Sequence, residues 1–320
     1  MNMQKPLFFD TSDGQSLRIN TISTYLKDHF GCKIVKLSID GGFTCPNRDG
    51  TRGTGGCAFC SASGSGETAA GSGDIYHDLD NQIELLRDKW PHAKYIAYFQ
   101  SHTNTYAPLE ELRAKFESAL RHPDVVGIAI ATRPDCLPDQ VLDYLEELNS
   151  RTFMWVELGL QTIHAGTQKA MNLCYSTEDY DNAARKLAKR GIPLVTHLIL
   201  GLPGESEEDM LASVAHICHS PVFGLKLHMF NLVKGSPLAL TCSNYVSFEK
   251  MEDYIDLVIR AIEIIPPHIT LHRISGDAPR SILISPEWSY MKRTILNTIH
   301  KTLKDRNTWQ GRLAPEDIQI

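Results

Sequence analysis

Ser38-Ile39-Asp40-Gly41-Gly42-Phe43-Thr44-Cys45-Pro46-Asn47-Arg48-Asp49-Gly50, continuing to Gly56-Cys57-Ala58-Phe59-Cys60, is a glycine-rich loop that carries three cysteines. The last two are spaced C-x-x-C, and the loop follows directly on the apolar run Ile34 to Ile39, which reads as a buried strand. Three thiols in one loop is an odd donor set. A closed structural zinc site takes four ligands, and so does a plain ferredoxin-type cluster. Zinc would need Cys32 or a distant residue as its fourth ligand, and Cys32 is separated from the loop by the whole strand.

Three cysteines on a four-iron cube leave one iron without a protein ligand, and an open metal position is where a small molecule binds and reacts. The glycines let the backbone turn tightly around such a cube, and Phe59 between the paired cysteines can wall it from water. The C-x(11)-C-x-Phe-C loop resembles that of radical S-adenosylmethionine (SAM) proteins of the YhcC/YtqA type, relatives of the catalytic subunit of elongator without its acetyltransferase domain. The resemblance implies a [4Fe-4S] cluster on Cys45, Cys57 and Cys60. Its open iron would chelate the amino and carboxylate groups of SAM, and one electron would cleave the sulfonium to methionine and a 5′-deoxyadenosyl radical. A low-potential electron donor of the flavodoxin or ferredoxin type is the implied partner.

At 320 residues the chain can bury a large core, and its 22% charged and 42% hydrophobic residues are those of an ordinary globular protein. No run has the length of a signal-peptide core or a membrane span. Eight cysteines are too sparse for a disulfide framework, and with free thiols beside a C-x-x-C they point to a reducing cytoplasm. Cys136, Cys174, Cys218 and Cys242 read as packed, inert thiols. The net charge of −6 speaks against a general polyanion binder.

A turn-rich leader, 1–16, precedes a helix near Ile19 to Phe30 and the strand before the cysteine loop. Beyond the loop, Ser61 to Gly73 is small and glycine-rich, the composition of a mobile flap that orders with ligand. Helices and strands then alternate, with strands expected at Lys94 to Phe99, Val125 to Ala131, Thr152 to Leu160, Pro193 to Leu200 and Phe223 to Met229. With the first strand this makes six, hence a parallel sheet covered by helices: an α/β fold built as a partial (β/α)6 TIM-like barrel over 17–245. A small C-terminal α/β extension, 246–320, is expected to close or shape its mouth.

Ligands in such folds collect at the carboxyl ends of the strands. The candidates there for holding SAM or substrate are Gln100, Asn104, Thr132, Arg133, Glu157 and Gln161. Glu157 and Gln161 fall four apart and share one strand face. A carboxylate in an otherwise apolar strand needs a partner, either a ligand or a structural cation. The stretch from His197 through Gly201-Leu202-Pro203-Gly204-Glu205 resembles the adenine-contacting strand end of radical SAM proteins, with His197 where many members carry glycine. His272 to Arg280 and Thr308-Trp309-Gln310-Gly311 resemble the YhcC/YtqA type in particular.

From Glu287 to Arg312 six Lys/Arg (292, 293, 301, 304, 306, 312) face two acids, an excess of +4 that suits an RNA footprint or a solvated helix. Three functions stay open: a radical SAM enzyme modifying RNA, with transfer RNA as substrate; the same chemistry on a small metabolite or protein; or an iron–sulfur module that binds SAM without turnover.

Overall fold

The structure is a computed structural model that describes residues 8–11, 14, 16–64, 66, 69–276 and 278–315. Seven strands form one sheet: β1 (Ile34–Ile39), β2 (Lys94–Phe99), β3 (Val125–Thr132), β4 (Phe153–Gln161), β5 (Leu194–Leu200), β6 (Gly224–Met229) and β7 (Thr270–Arg273). Their spatial order is their chain order, and every neighbouring pair is parallel. The sheet curls into a half-barrel, because one-directional crossovers on a right-twisted sheet bend it consistently toward one side. The six expected strands are all present. The seventh comes from the expected extension, whose run His268 to Ile274 supplies β7 on the flank of β6.

The longer helices are α1 (Ile22–Phe30), α2 (Ile75–Arg87), α3 (Leu109–Leu120), α4 (Asp139–Asn149), α5 (Thr177–Lys189), α6 (Glu207–Cys218), α7 (Met251–Ile264) and α8 (Lys292–Asp305). Their ends follow local chemistry. Ser176 and Ser206 each form a capping box with the aspartate three residues on, Asp179 and Asp209, which satisfies free backbone N–H groups at the starts of α5 and α6.

The two faces of the sheet carry different residues, as a period of two demands. Leu37, Ala97, Ile130, Leu158 and Leu225 point to the helices and share the main core. On the other face, Ile34, Ile96, Ala129, Trp155 and Val195 pack with Ile22 and Leu26 of α1. Helix α1 therefore plugs the amino end of the half-barrel and leaves its carboxyl end open.

The segment before α1 meets the segment after α8. Gln310, fully buried, donates to Pro266 O (2.9 Å) and Ile269 O (2.8 Å) and accepts from the Asn20 N–H at 2.8 Å. Of the expected leader, residues 1–7, 12, 13 and 15 lie outside the described ones, and Phe9–Asp10 pairs antiparallel with Ser16–Leu17. In the expected flap, residues 65, 67 and 68 lie outside the described ones. On either side that segment is tied down, by Arg48 bonding to Ser61 O and Ala62 O and by Ala70 pairing with the end of β1.

Two of the four cysteines expected to be packed away are not. Cys136 and Cys218 are buried, whereas Cys174 and Cys242 are exposed. Cys174 stands in a left-handed conformation, φ 57°, beside the cysteine loop, where turn geometry rather than apolar packing fixes its place. Among the described residues no helix is long and apolar enough to cross a membrane.

Candidate active site

The carboxyl ends of the strands surround a cavity of about 600 Å³, and Cys45, Cys57 and Cys60 all stand in its wall. Their loop is set by local bonds. Asp40 accepts from the Gly42 N–H at 2.9 Å, closing an Asx turn that Gly42 completes at φ 69°. Asn47, fully buried, donates from Nδ2 to Asn172 O at 2.5 Å, lies 3.6 Å from Cys57 Sγ, and accepts from Cys174 Sγ at 3.1 Å. Asn172 in turn donates to Gly56 O at 2.8 Å. The loop is thus sewn to residues 172–174 on the far side of the site. Cys60 and burial hold the Cys57 thiol well above its ordinary value, so two thiolates here call for a cation. Among the described residues no three His, Cys, Asp or Glu side chains converge closely enough for a single metal ion. A cube of iron and sulfide spans a wider gap between thiolates than one ion does, and the donor set fits it.

Phe59, Gln100, Thr132, Arg133, Glu157 and Gln161 line the same cavity. Gln161 ends β4 at φ 68°, which folds its side chain back over the strand, and a Cβ on Gly159 would lie 2.3 Å from its Nε2. Arg133 grips Asp135 with Nε (2.9 Å) and Nη2 (2.8 Å) and donates from Nη1 to Leu173 O at 2.9 Å, with Tyr175 stacked beneath it. Thr132 shares a 2.6 Å hydrogen bond with Thr105.

Asn104 is not among the residues that line the cavity, and its Oδ1 has no partner among the described residues. It is fully buried and donates to Phe99 O (3.1 Å) and Ala131 O (2.8 Å), bracing the ends of β2 and β3 against each other. The segment Gly201 to Glu205 likewise stays off the cavity wall. There Glu205 accepts from Thr162 at 2.5 Å, and Tyr245 donates to Gly201 O at 2.8 Å.

Glu157 finds its partners within the chain. Its carboxylate accepts from Lys226, from His197 Nε2 at 2.7 Å and from Trp155 Nε1 at 2.8 Å, while Lys36 Nζ lies 4.0 Å away. Burial alone would raise this carboxyl, but Lys226, Lys36 and the His197 bond hold it well below the usual range. Lys226 is pulled down by burial against the attraction of Glu157, and it also donates to Tyr98 Oη at 3.1 Å, bridging β6 to β2 across the interior. His197 is pushed down to about 4, chiefly by burial and then by Lys226, so it is neutral near pH 7. His228 is lowered by burial as well and faces the cavity with Nε2 unpartnered among the described residues.

The strand-end reading missed Lys36, Tyr98, Lys226 and His228. A signal existed: Lys36 with Ser38, and Lys226 with His228, are polar residues two apart within apolar strands, hence on one face.

A half-barrel open at its carboxyl end, with three loop thiols and a polar rim around one cavity, is the architecture of a radical SAM protein. The chain belongs to that superfamily: the Radical SAM superfamily model matches residues 48–217, and the Radical_SAM C-terminal domain model matches 222–305. It is an enzyme family whose members use a [4Fe-4S] cluster and SAM. Within it the chain is of the YhcC/YtqA type. It is 47% identical to YtqA of Bacillus subtilis over 92% of both chains, and 36% identical to YhcC of Escherichia coli over 84% of this chain and 87% of that one. Among solved structures, an archaeal Elp3 from Methanocaldococcus infernus shares the fold with a TM-score of 0.65 at 19% identity, covering 87% of this chain and 64% of that one.

Proposed function

We propose that Cys45, Cys57 and Cys60 hold the [4Fe-4S] cluster, and that Gln100, Thr132, Arg133 and Gln161 receive SAM or the substrate beside it. The observation that carries this reading is the meeting of all three thiols and this polar rim on one cavity. When bound, the cluster supplies the electron that cleaves SAM to methionine and a 5′-deoxyadenosyl radical. The chain's own residues do the rest. Phe59 and the α1 plug keep water from the interior, Arg48 braces the loop through backbone carbonyls, and Asn104 positions the strand ends without touching a ligand. The electron donor is a flavodoxin or ferredoxin type of protein, and the setting is the cytoplasm, where free thiols persist.

Anaerobic reconstitution tests the assignment: about four irons per chain are expected, together with 5′-deoxyadenosine formed from SAM under reduction. Replacing Cys45, Cys57 or Cys60 by Ala should abolish iron loading, and Cys218→Ala should leave it intact. Tight uptake of one zinc with no iron overturns the assignment.

Transfer RNA as substrate is a second reading, supported by Arg293, Lys301 and Lys304, exposed on α8 with no carboxylate partner among the described residues. The footprint is thinner than the composition suggests, because Arg306 pairs with Asp256 at 2.5 Å and Arg312 with Glu263 at 2.6 Å.

A further inference from the structure

Below the rim the cavity reaches a layer of charge that cofactor binding does not explain. Lys36 of β1, Glu157 of β4, and Lys226 and His228 of β6 all face it. A buried cation is costly unless it is paired. Lys226 is paired, through Glu157 and Tyr98. Lys36 is not. Among the described residues the carboxylate oxygen nearest its ammonium is Glu157 Oε1 at 4.0 Å, beyond hydrogen-bond reach, and that oxygen already takes the Trp155 N–H. What remains for Lys36 is the faces of Tyr98, at 4.9 Å to the ring centroid, and Trp155, at 5.8 Å. Its side chain keeps 26% exposure, and it is a cavity-lining group. Lys226 already answers that one carboxylate, so among the described residues Lys36 has no carboxylate to itself.

Of the other cations of the wall, Arg133 is matched by Asp135, Arg48 lies in the cysteine loop, where a cluster on three thiolates would be anionic, and Arg273 of β7 adds its positive charge to the same cavity. SAM brings a sulfonium and adds positive charge. The anion that would balance Lys36 must come with the substrate. The same cavity also holds buried polar atoms without partners among the described residues, His228 Nε2, Asn231 Oδ1 and His102 Nδ1, so both donors and acceptors await a polar ligand.

Resting on the radical SAM reading, we propose that the substrate is a small molecule carrying a carboxylate or phosphate, docked by that group on Lys36 inside the half-barrel. Depth decides for a small molecule. Lys36 is three residues before the end of β1, about 10 Å below the strand ends at 3.3 Å per residue. A polynucleotide that extruded a base into the barrel would present that neutral base to Lys36, and its phosphates would stay outside.

The test uses anaerobically reconstituted protein, with iron content and SAM cleavage measured on the same sample so that failure of the cluster reading shows separately. Orthophosphate and malonate are the probes, titrated against thermal stability with chloride at matched ionic strength as the blank. Saturable stabilisation of the wild type by either anion is expected, at least tenfold weaker in Lys36→Met, within about threefold of wild type in Lys36→Arg, and unchanged in the surface control Lys189→Met. If Lys36→Met does not fold, Lys36→Gln takes its place beside Lys36→Arg. Equal stabilisation of the wild type and the uncharged variant, the mark of an adventitious ion only, overturns the proposal, as does no saturable effect with either probe. Displacement of the anion by S-adenosylhomocysteine overturns it too, since Lys36 would then hold the carboxylate of SAM.

Discussion

Replacing Glu157 by Gln keeps the side chain's shape and removes its charge, leaving the buried Lys226 ammonium with only Tyr98 and an amide oxygen. Breaking a buried ion pair from one side costs about 3–5 kcal/mol. The penalty has a ceiling, because at pH 7 the lysine can instead shed its proton for about 5 kcal/mol. A melting entropy of about 2.1 cal/mol/K per residue gives ~0.7 kcal/mol/K over this chain, so Tm should fall by about 4–8 °C. The wild-type carboxyl sits below its usual range, so its contribution is complete above about pH 4.5 and is lost only as pH falls through its folded value. In the variant the strained group is Lys226, whose folded value is depressed, so the penalty should shrink as pH rises toward the unfolded lysine value near 10. The decisive assay is a double-mutant cycle with Lys226→Met, read by chemical denaturation. Two apolar or neutral side chains no longer strand a charge, so the double variant should recover about 2 kcal/mol or more relative to the sum of the singles. Strict additivity would refute the pairing.

Three half-buried histidines, His197, His228 and His272, are each held below the ordinary imidazole value, by desolvation first. Their folded-state values being depressed, stability should be full above about pH 6.5 and fall as pH drops from there, for His197 until about 4, at up to ~1.4 kcal/mol per pH unit for each histidine that charges on unfolding; a flat denaturation free energy between pH 6.5 and 5 would show that they are already charged in the folded protein. On the RNA reading, binding of transfer RNA should lose affinity steeply with salt, and reversing Arg293, Lys301 and Lys304 to Glu should weaken it without changing uncoupled SAM cleavage. Equal, weak binding by wild type and the reversed variant removes that reading and leaves the small anionic substrate.

The sequence was legible where one local rule acts alone. Strand Lys94–Phe99 and helix Asp139–Asn149 fall where periodicity places them, and helix Thr177–Lys189 where periodicity and the Ser176 cap do, since each needs only its own residues to define it. The cysteine loop was legible for the same reason: its three thiols and the turn at Gly42 lie within one short stretch. Asn104 failed that standard. An amide after a strand reads as a ligand contact or as a brace, and only the carbonyls of Phe99 and Ala131, brought together by the β2–β3 pairing, decide for the brace. Glu157 marks the limit. That it faces inward and needs a partner follows from strand parity and the cost of a buried charge. That the partner is Lys226, 69 residues further along the chain, follows only from the curl of the sheet, which turns β6 to face β2 and β4 across the interior. The same curl sets Lys36 of β1 4.0 Å from that carboxylate, so the charge that faces the cavity is a property of the curled sheet rather than of any segment.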